Sequence, residues 1–243
     1  SPHGQTYEPE DSGSMVSYKE AKDGQLLEEG ISEAGAISSW TAAATAYSAH
    51  NIELLPMYIY YSMFGFQRIG DLIWAAADQR ARGFLFGATA GRTTLSGEGL
   101  QHQDGSSHLI AATIPNCRAY DPCFAYELAV IVEYGIQRMY DEKHDEFFYI
   151  TLMNENYSHP SLPDGIADDI IRGIYRYDAL GESQAPCVRL LGSGTILKQV
   201  IEAAHLITEH FAVRCEIYSV TSFSELARDA QTAQRASRLS STS

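Results

Sequence analysis

Cysteine is scarce in this sequence: four in 243 residues, Cys117, Cys123, Cys187 and Cys215, with no Cys-x-x-Cys pair among them. A chain of this size holds a core without disulfides, so reduced thiols and a cytoplasmic location are expected. Basic residues are also few, 17 against 31 acidic ones, a net charge of −14. An acidic surface of that kind repels phosphate backbones and anionic lipid, which excludes nucleic acid and membrane surfaces as partners. Apolar runs are short, and none approaches the length of a membrane span. Asn156-Tyr157-Ser158 has the form of a glycosylation acceptor, but no secretory signal accompanies it and the match is expected to be chance. What is abundant is core material: 45% of residues are hydrophobic, enough for one large α/β domain, or one domain and part of another.

Along the chain, residues 1–24 are polar and read as a leading segment outside the core. Ser32 is placed to cap a helix running through Trp40 to about Ser48. The run Leu54–Tyr61 is apolar and aromatic on both faces, as expected of a strand buried within a sheet. Helical spacing returns from Phe64 to Arg82, with Phe66, Ile69, Ile73 and Ala76 on one side, and Gly83–Gly87 is a second strand. Residues 88–107 form a long Gly/Ser/Thr-rich stretch of the kind that is functional or disordered in a compact domain. Further strands are expected at Ile114–Tyr120 and Glu146–Met153. Between them a helix is expected to be capped by Asp121, to begin at Pro122 and to reach Tyr140. Such alternation means parallel βαβ units in a three-layer α/β/α domain with a mainly parallel sheet, spanning residues 25–178. A polar linker follows at 179–187, then an incomplete second α/β domain at 188–229 and a disordered tail at 230–243.

Several side chains carry candidate chemistry. Glu33 follows the Ser32 cap, where an acid complements the helix dipole; it also sits in an apolar neighbourhood, where a buried carboxylate requires a donor. Tyr58, Tyr60, Tyr61, Phe64 and Phe66 lie at a strand-to-helix junction, where open parallel sheets place ligands, and serve either core packing or the stacking of a flat heterocycle. Glu98, His102, Asp104 and His108 share the long loop. Their spacing fits no standard zinc pattern, so a metal site is the least favoured of three readings, beside a solvated loop and acid–base or substrate-binding residues. Gly192-Ser193-Gly194 lacks the third glycine of a dinucleotide fingerprint, since Leu197 takes that position, and reads as a tight strand-to-helix turn.

Three strings carry a family resemblance: Tyr58-Ile-Tyr-Tyr-Ser-Met-Phe-Gly-Phe-Gln-Arg-Ile-Gly-Asp71, Gly91-Arg-Thr-Thr-Leu-Ser-Gly-Glu-Gly-Leu-Gln-His-Gln-Asp-Gly105 and Leu152-Met-Asn-Glu-Asn-Tyr157. From about Gly4 to Gln234 the sequence resembles the homodimeric-type bacterial pyruvate dehydrogenase first component. The resemblance implies the thiamine-diphosphate-binding fold, with 25–178 as the pyrimidine-binding domain and 188–229 as the start of a transketolase-like C-terminal domain. It implies that Glu33 hydrogen-bonds the aminopyrimidine and drives it to the imino tautomer, that Phe64 stacks on that ring, and that Tyr61 lies beside it. Glu98 and His102 would face the substrate and lipoyl acceptor, and Asp11 would lie on a carboxylate path between two sites of a homodimer.

The sequence departs from the family pattern in two places. No Gly-Asp-Gly occurs in it, so the Mg2+ that holds the diphosphate is expected from a domain or chain outside these residues. After Gln234 the family pattern ends as well. The expectation is a part of an enzyme that decarboxylates pyruvate and reductively acetylates the lipoyl group of an acetyltransferase partner, supplying the aminopyrimidine half of the site. The alternative is a non-catalytic remnant or association subunit.

Overall fold

In the computed structural model, residues 23–90, 99, 102–153 and 155–240 are described. Residues 23–32 contain no helix or strand, and the architecture is that of the compact unit Glu33–Ser243. Its elements in order are α1 Glu33–Ala44, α2 Ala46–Ala49, β1 Met57–Tyr61, α3 Phe66–Asp78, β2 Phe84–Ala88, α4 Ser107–Ala111, β3 Cys117–Tyr120 and α5 Ala125–Ile136. They continue with β4 Phe147–Thr151, α6 Ala167–Arg172, β5 Ile174–Leu180, β6 Cys187–Gly192, α7 Ile196–His210, β7 Arg214–Val220 and α8 Phe223–Leu239. A 3-10 turn, Ser62–Phe64, joins β1 to α3.

Four strands form a parallel sheet in the order β1-β2-β4-β3. Period-2 alternation divides their side chains between two cores. Leu85, Phe147, Tyr149, Cys117 and Ala119 pack with Ile37 and Trp40 of α1 and Ile69 and Ile73 of α3. Phe84, Phe86, Phe148, Ile150 and Tyr120 pack on the other side with Ile131 of α5, Ile170 of α6 and residues of the second sheet. The sheet is thus covered on both faces, as an all-parallel sheet requires. The second sheet, β5-β7-β6, pairs β5 antiparallel and β6 parallel to β7. Gly192 closes the β6–α7 turn, since a Cβ there would meet Leu197 Cα at 2.7 Å.

Several expectations are corrected. β1 is an edge strand rather than a buried one: Met57, Ile59 and Tyr61 are 50%, 63% and 51% exposed, because among the described residues only β2 flanks them. α5 begins at Ala125 and not at Pro122, because Glu127 reaches back to accept from Phe124 N at 2.9 Å and takes the capping role expected of Asp121. Residues 174–178, expected in the first domain, belong to β5 and pair with β7, and β5 runs on into the stretch read as linker. Residues 230–239, expected as a disordered tail, continue α8. That helix starts where Ser222 Oγ accepts from Glu225 N at 3.1 Å, and Arg228 holds it to the carbonyls of Pro115 and Cys117 at 2.8 and 2.7 Å.

Buried polar groups fasten the two sheets together. Glu127 is fully buried, and its carboxylate accepts from Cys123 N, Phe124 N, Tyr175 Oη of β5 and Ser219 Oγ of β7 at 2.5, 2.9, 2.6 and 2.6 Å. Tyr126 Oη is hydrogen-bonded to Tyr175 Oη in turn. Asp121 adds a second tie, accepting from Thr151 Oγ1 of β4 and, at 2.9 Å, from Ser193 Oγ in the β6–α7 turn.

Candidate functional site

The carboxyl ends of the parallel strands gather the chemistry, as in open α/β sheets generally. β1 delivers Tyr61, the 3-10 turn delivers Phe64, and the first turn of α3 delivers Arg68. α1 begins at Glu33, immediately after Ser32, with its acid in the first turn. Arg68 Nη1 donates to Glu33 Oε1 at 2.7 Å, which puts Glu33 at this same edge of the sheet. The Arg68 guanidinium carbon also lies 3.9 Å from the Phe64 ring centroid. Tyr58 borders the pair: burial, and then the negative charge of Glu33, push its phenol up to about 12.

Gly65 follows Phe64 for a steric reason. A Cβ at that position would lie 2.1 Å from Tyr60 Cε2, so only glycine lets the turn pass over the buried Tyr60 ring. Tyr60 and Phe66 are core residues, and of the aromatic group Tyr61 and Phe64 are the two that bracket His102. The His102 ring meets Tyr61 and Phe64 edge-on, with centroids 5.4 and 5.2 Å away.

Asp104 closes this group from the loop side. Its carboxylate accepts from Ser62 Oγ at 2.6 Å and from the amides of Ser106 and Ser107 at 3.1 and 3.0 Å. Burial works against its charge, but the bonds from Ser62, Ser107 and Ser106 outweigh burial and hold the carboxyl below its ordinary range. Beyond Asp104 a cavity of about 200 Å³ is lined by His108, Asp121, Thr151, Ser193 and Thr195. There His108 Nε2 lies 3.1 Å from Thr151 Oγ1, whose hydroxyl is hydrogen-bonded to Asp121 Oδ1. A larger aromatic groove, about 470 Å³, lies between Phe124, Tyr157, Tyr177 and Lys198 and contains none of Glu33, Tyr61, Phe64 and His102.

The fold therefore brings together Glu33, Tyr61, Phe64 and His102 of the six predicted residues. Glu98 and Asp11 lie outside the described residues. Sequence reasoning missed Arg68, the partner of Glu33, and Ser62. Both fall within the string Tyr58–Asp71, and Arg68 carries the one basic charge between Lys22 and Arg80.

The arrangement can hold a flat, nitrogen-rich group. A carboxylate and an aromatic face are presented together, and the Arg68 guanidinium, itself planar and a hydrogen-bond donor, satisfies both at once. A heterocycle with an amidine-like edge makes the same two contacts.

Comparison with known proteins gives consistent results. The pyruvate dehydrogenase E1 component middle domain family matches residues 1–160. The chain is 58% identical over 236 residues to the pyruvate dehydrogenase E1 component of Pseudomonas aeruginosa, covering 97% of this chain and 27% of that protein. With the Escherichia coli K12 protein the identity is 56% over 236 residues, covering 97% and 26%. The chain thus spans about a quarter of the length of these curated relatives. Among solved structures, transketolase from Campylobacter jejuni superposes with a TM-score of 0.59 at 19% identity, covering 77% of this chain and 27% of that one. A split-gene transketolase, described as an inactive β4 tetramer, gives 0.55 at 15% identity, covering 80% and 57%. These two likenesses bear on the fold alone.

Proposed function

The chain belongs to the pyruvate dehydrogenase E1 component middle domain family, and we propose that its residues supply the aminopyrimidine half of a thiamine-diphosphate site. The observation that carries this reading is the joint presentation of Glu33 and Phe64 to one planar donor. Bound thiamine diphosphate supplies the nucleophilic carbon and electron sink needed to decarboxylate a 2-oxo acid such as pyruvate. The protein side of that chemistry is placement and proton handling. Glu33 accepts a hydrogen bond from the ring and holds or returns a proton at its carboxylate. Phe64 offers a stacking face, and Arg68 must then leave that face while its charge stays near Glu33. Tyr61 and His102 line the approach on the side where the substrate and the lipoyl acceptor of an acetyltransferase component would enter, with Glu98 of the same loop. Asp11 would join two such sites in a homodimer.

No Gly-Asp-Gly occurs among the 243 residues, so the diphosphate and its Mg2+ are assigned to a domain outside them. Most of the affinity for a doubly charged diphosphate comes from such a metal site. The test is complementation. The chain alone, with Mg2+ and thiamine diphosphate, should bind the cofactor weakly and leave pyruvate unchanged. Adding the diphosphate-binding domain of an intact relative should restore turnover. Low-micromolar binding together with turnover by the chain alone would overturn the reading.

A further inference from the structure

We propose that Asp104 is a positioning residue: it fastens the segment carrying His102 to the carboxyl end of β1 and so sets the imidazole between Tyr61 and Phe64. The proposal rests on the reading of His102 as a site residue.

The two sides of the site come from distant parts of the chain. Tyr61 and Phe64 stand on β1 and the turn after it, whereas His102 stands on a loop some forty residues later, and among the described residues no strand pairing connects the loop to β1. Side chains make the connection seen between the described residues. Asp104 Oδ2 accepts from Ser62 Oγ at 2.6 Å, and Ser62 lies directly between Tyr61 and Phe64 in the chain. Tyr149 Oη approaches the same oxygen at 3.5 Å. Asp104, two residues after His102, takes the Ser106 and Ser107 amides at Oδ1, which turns the loop into α4 at Ser107. A return bond runs from Ser107 Oγ to Ser62 O at 3.3 Å, so Ser62 is held at both its hydroxyl and its carbonyl. Gln67 Nε2 adds a contact to Ser106 Oγ at 3.3 Å.

The sheet is shaped to allow this clasp. At Gly87 of β2 a Cβ would lie 2.6 Å from Tyr149 Oη and 2.8 Å from Ser62 Cβ. Only a residue without a side chain leaves room for both Ser62 and Tyr149 at this place. Hydrogen bonds to an ionised carboxylate are stronger than those between neutral groups. The edge-on contacts of the His102 ring with Tyr61 and Phe64 are weak by comparison.

The experiment is histidine-selective NMR of the full 243-residue chain, with the His102 ring signals assigned by their loss in His102→Gln. Ring currents from Tyr61 and Phe64 should displace those signals from their random-coil positions. His159, which packs on Tyr157 with centroids 4.6 Å apart, serves as a folded-state control. In Asp104→Ala the His102 displacement should fall by at least half and the Ser106 and Ser107 amides should exchange at least tenfold faster, with His159 unmoved. Asp104→Asn keeps an acceptor for the two amides and loses that for Ser62, so it should retain amide protection while His102 moves part of the way. Should Asp104→Ala lose the His159 displacement as well, Ser62→Ala decides, since it removes one donor only; His102 should shift toward its random-coil position. An unmoved His102 in Asp104→Ala with His159 in place, or in Ser62→Ala, would overturn the proposal. These signals are independent of turnover, so the clasp and the functional reading fail separately.

Discussion

Arg68 donates to Glu33 at 2.7 Å and, through the same guanidinium, covers Phe64 at 3.9 Å. An apolar neighbourhood needs a partner for a carboxylate, and the chain supplies one from α3. The partner is also half-exposed, with 50% of its side chain open to solvent. Exposed ion pairs contribute about 0–1 kcal/mol. Arg68→Ala should therefore lower stability by no more than about 1 kcal/mol in urea denaturation. A loss several times larger would mean that the pair is structural and does not yield to a ligand.

Acid should loosen the loop that carries His102. The Asp104 carboxyl, ordinarily at 3.8, is shifted down in the folded chain: burial raises it, and the bonds from Ser62, Ser107 and Ser106 lower it by more. A group whose folded value is depressed contributes stability above its unfolded value and loses it as pH falls through the folded one. The contribution should thus be intact above about pH 4 and lost below it. Amide exchange at Ser106 and Ser107, corrected for intrinsic rates, checks this; protection that already fails near neutrality would contradict it.

The joint between the two sheets should be among the most sensitive points of the fold. Glu127→Gln leaves one acceptor oxygen where four donors converge, two of them backbone amides. Orphaned buried donors cost roughly 1–3 kcal/mol each. A fall in unfolding free energy of about 2–5 kcal/mol is expected, with faster exchange in β5 and β7. Near-wild-type stability would show that water or a rearranged network replaces the carboxylate.

The edge of β1 predicts association. Ile52, Leu54, Met57, Ile59 and Tyr61 are all exposed around a strand flanked on one side only, and such an edge pairs readily with other chains. Sedimentation should show concentration-dependent self-association, reduced in Ile59→Lys. A monomer across a wide concentration range would contradict it.

Much of this arrangement was legible in the sequence, and the exceptions have physical causes. Phe66, Ile69, Ile73 and Ala76 were read at helical spacing and all four are buried in α3. Strands between such helices gave the parallel sheet. β1 was misplaced because an apolar run does not distinguish a central strand from an edge strand whose outer side is bare. β5 was missed because Arg176 and Asp178 interrupt it, although Tyr175 and Tyr177 alternate as a strand requires. α8 has no buried residue and so no apolar stripe; its signal was the Ser222-x-x-Glu225 capping pattern. In the site, Tyr61, Phe64 and His102 lie within the long motif strings, and Glu33 follows the Ser32 cap and the wider resemblance. Arg68 could have been inferred as the single base within reach of a shielded acid. Asp104 could not, since its role depends on Ser62 approaching from 42 residues away.

The central claim is that the Glu33 carboxylate acts on a bound ring and is more than a complement to a helix dipole. Turnover of pyruvate and melting temperature should be measured together on Glu33→Gln complemented with the diphosphate-binding domain. Glutamine keeps the size and a hydrogen bond but cannot share a proton. Turnover should fall by about 10²–10⁴-fold, while stability changes by no more than about 1 kcal/mol. Near-normal turnover in that protein would contradict the account and leave Glu33 a helix-terminal acid.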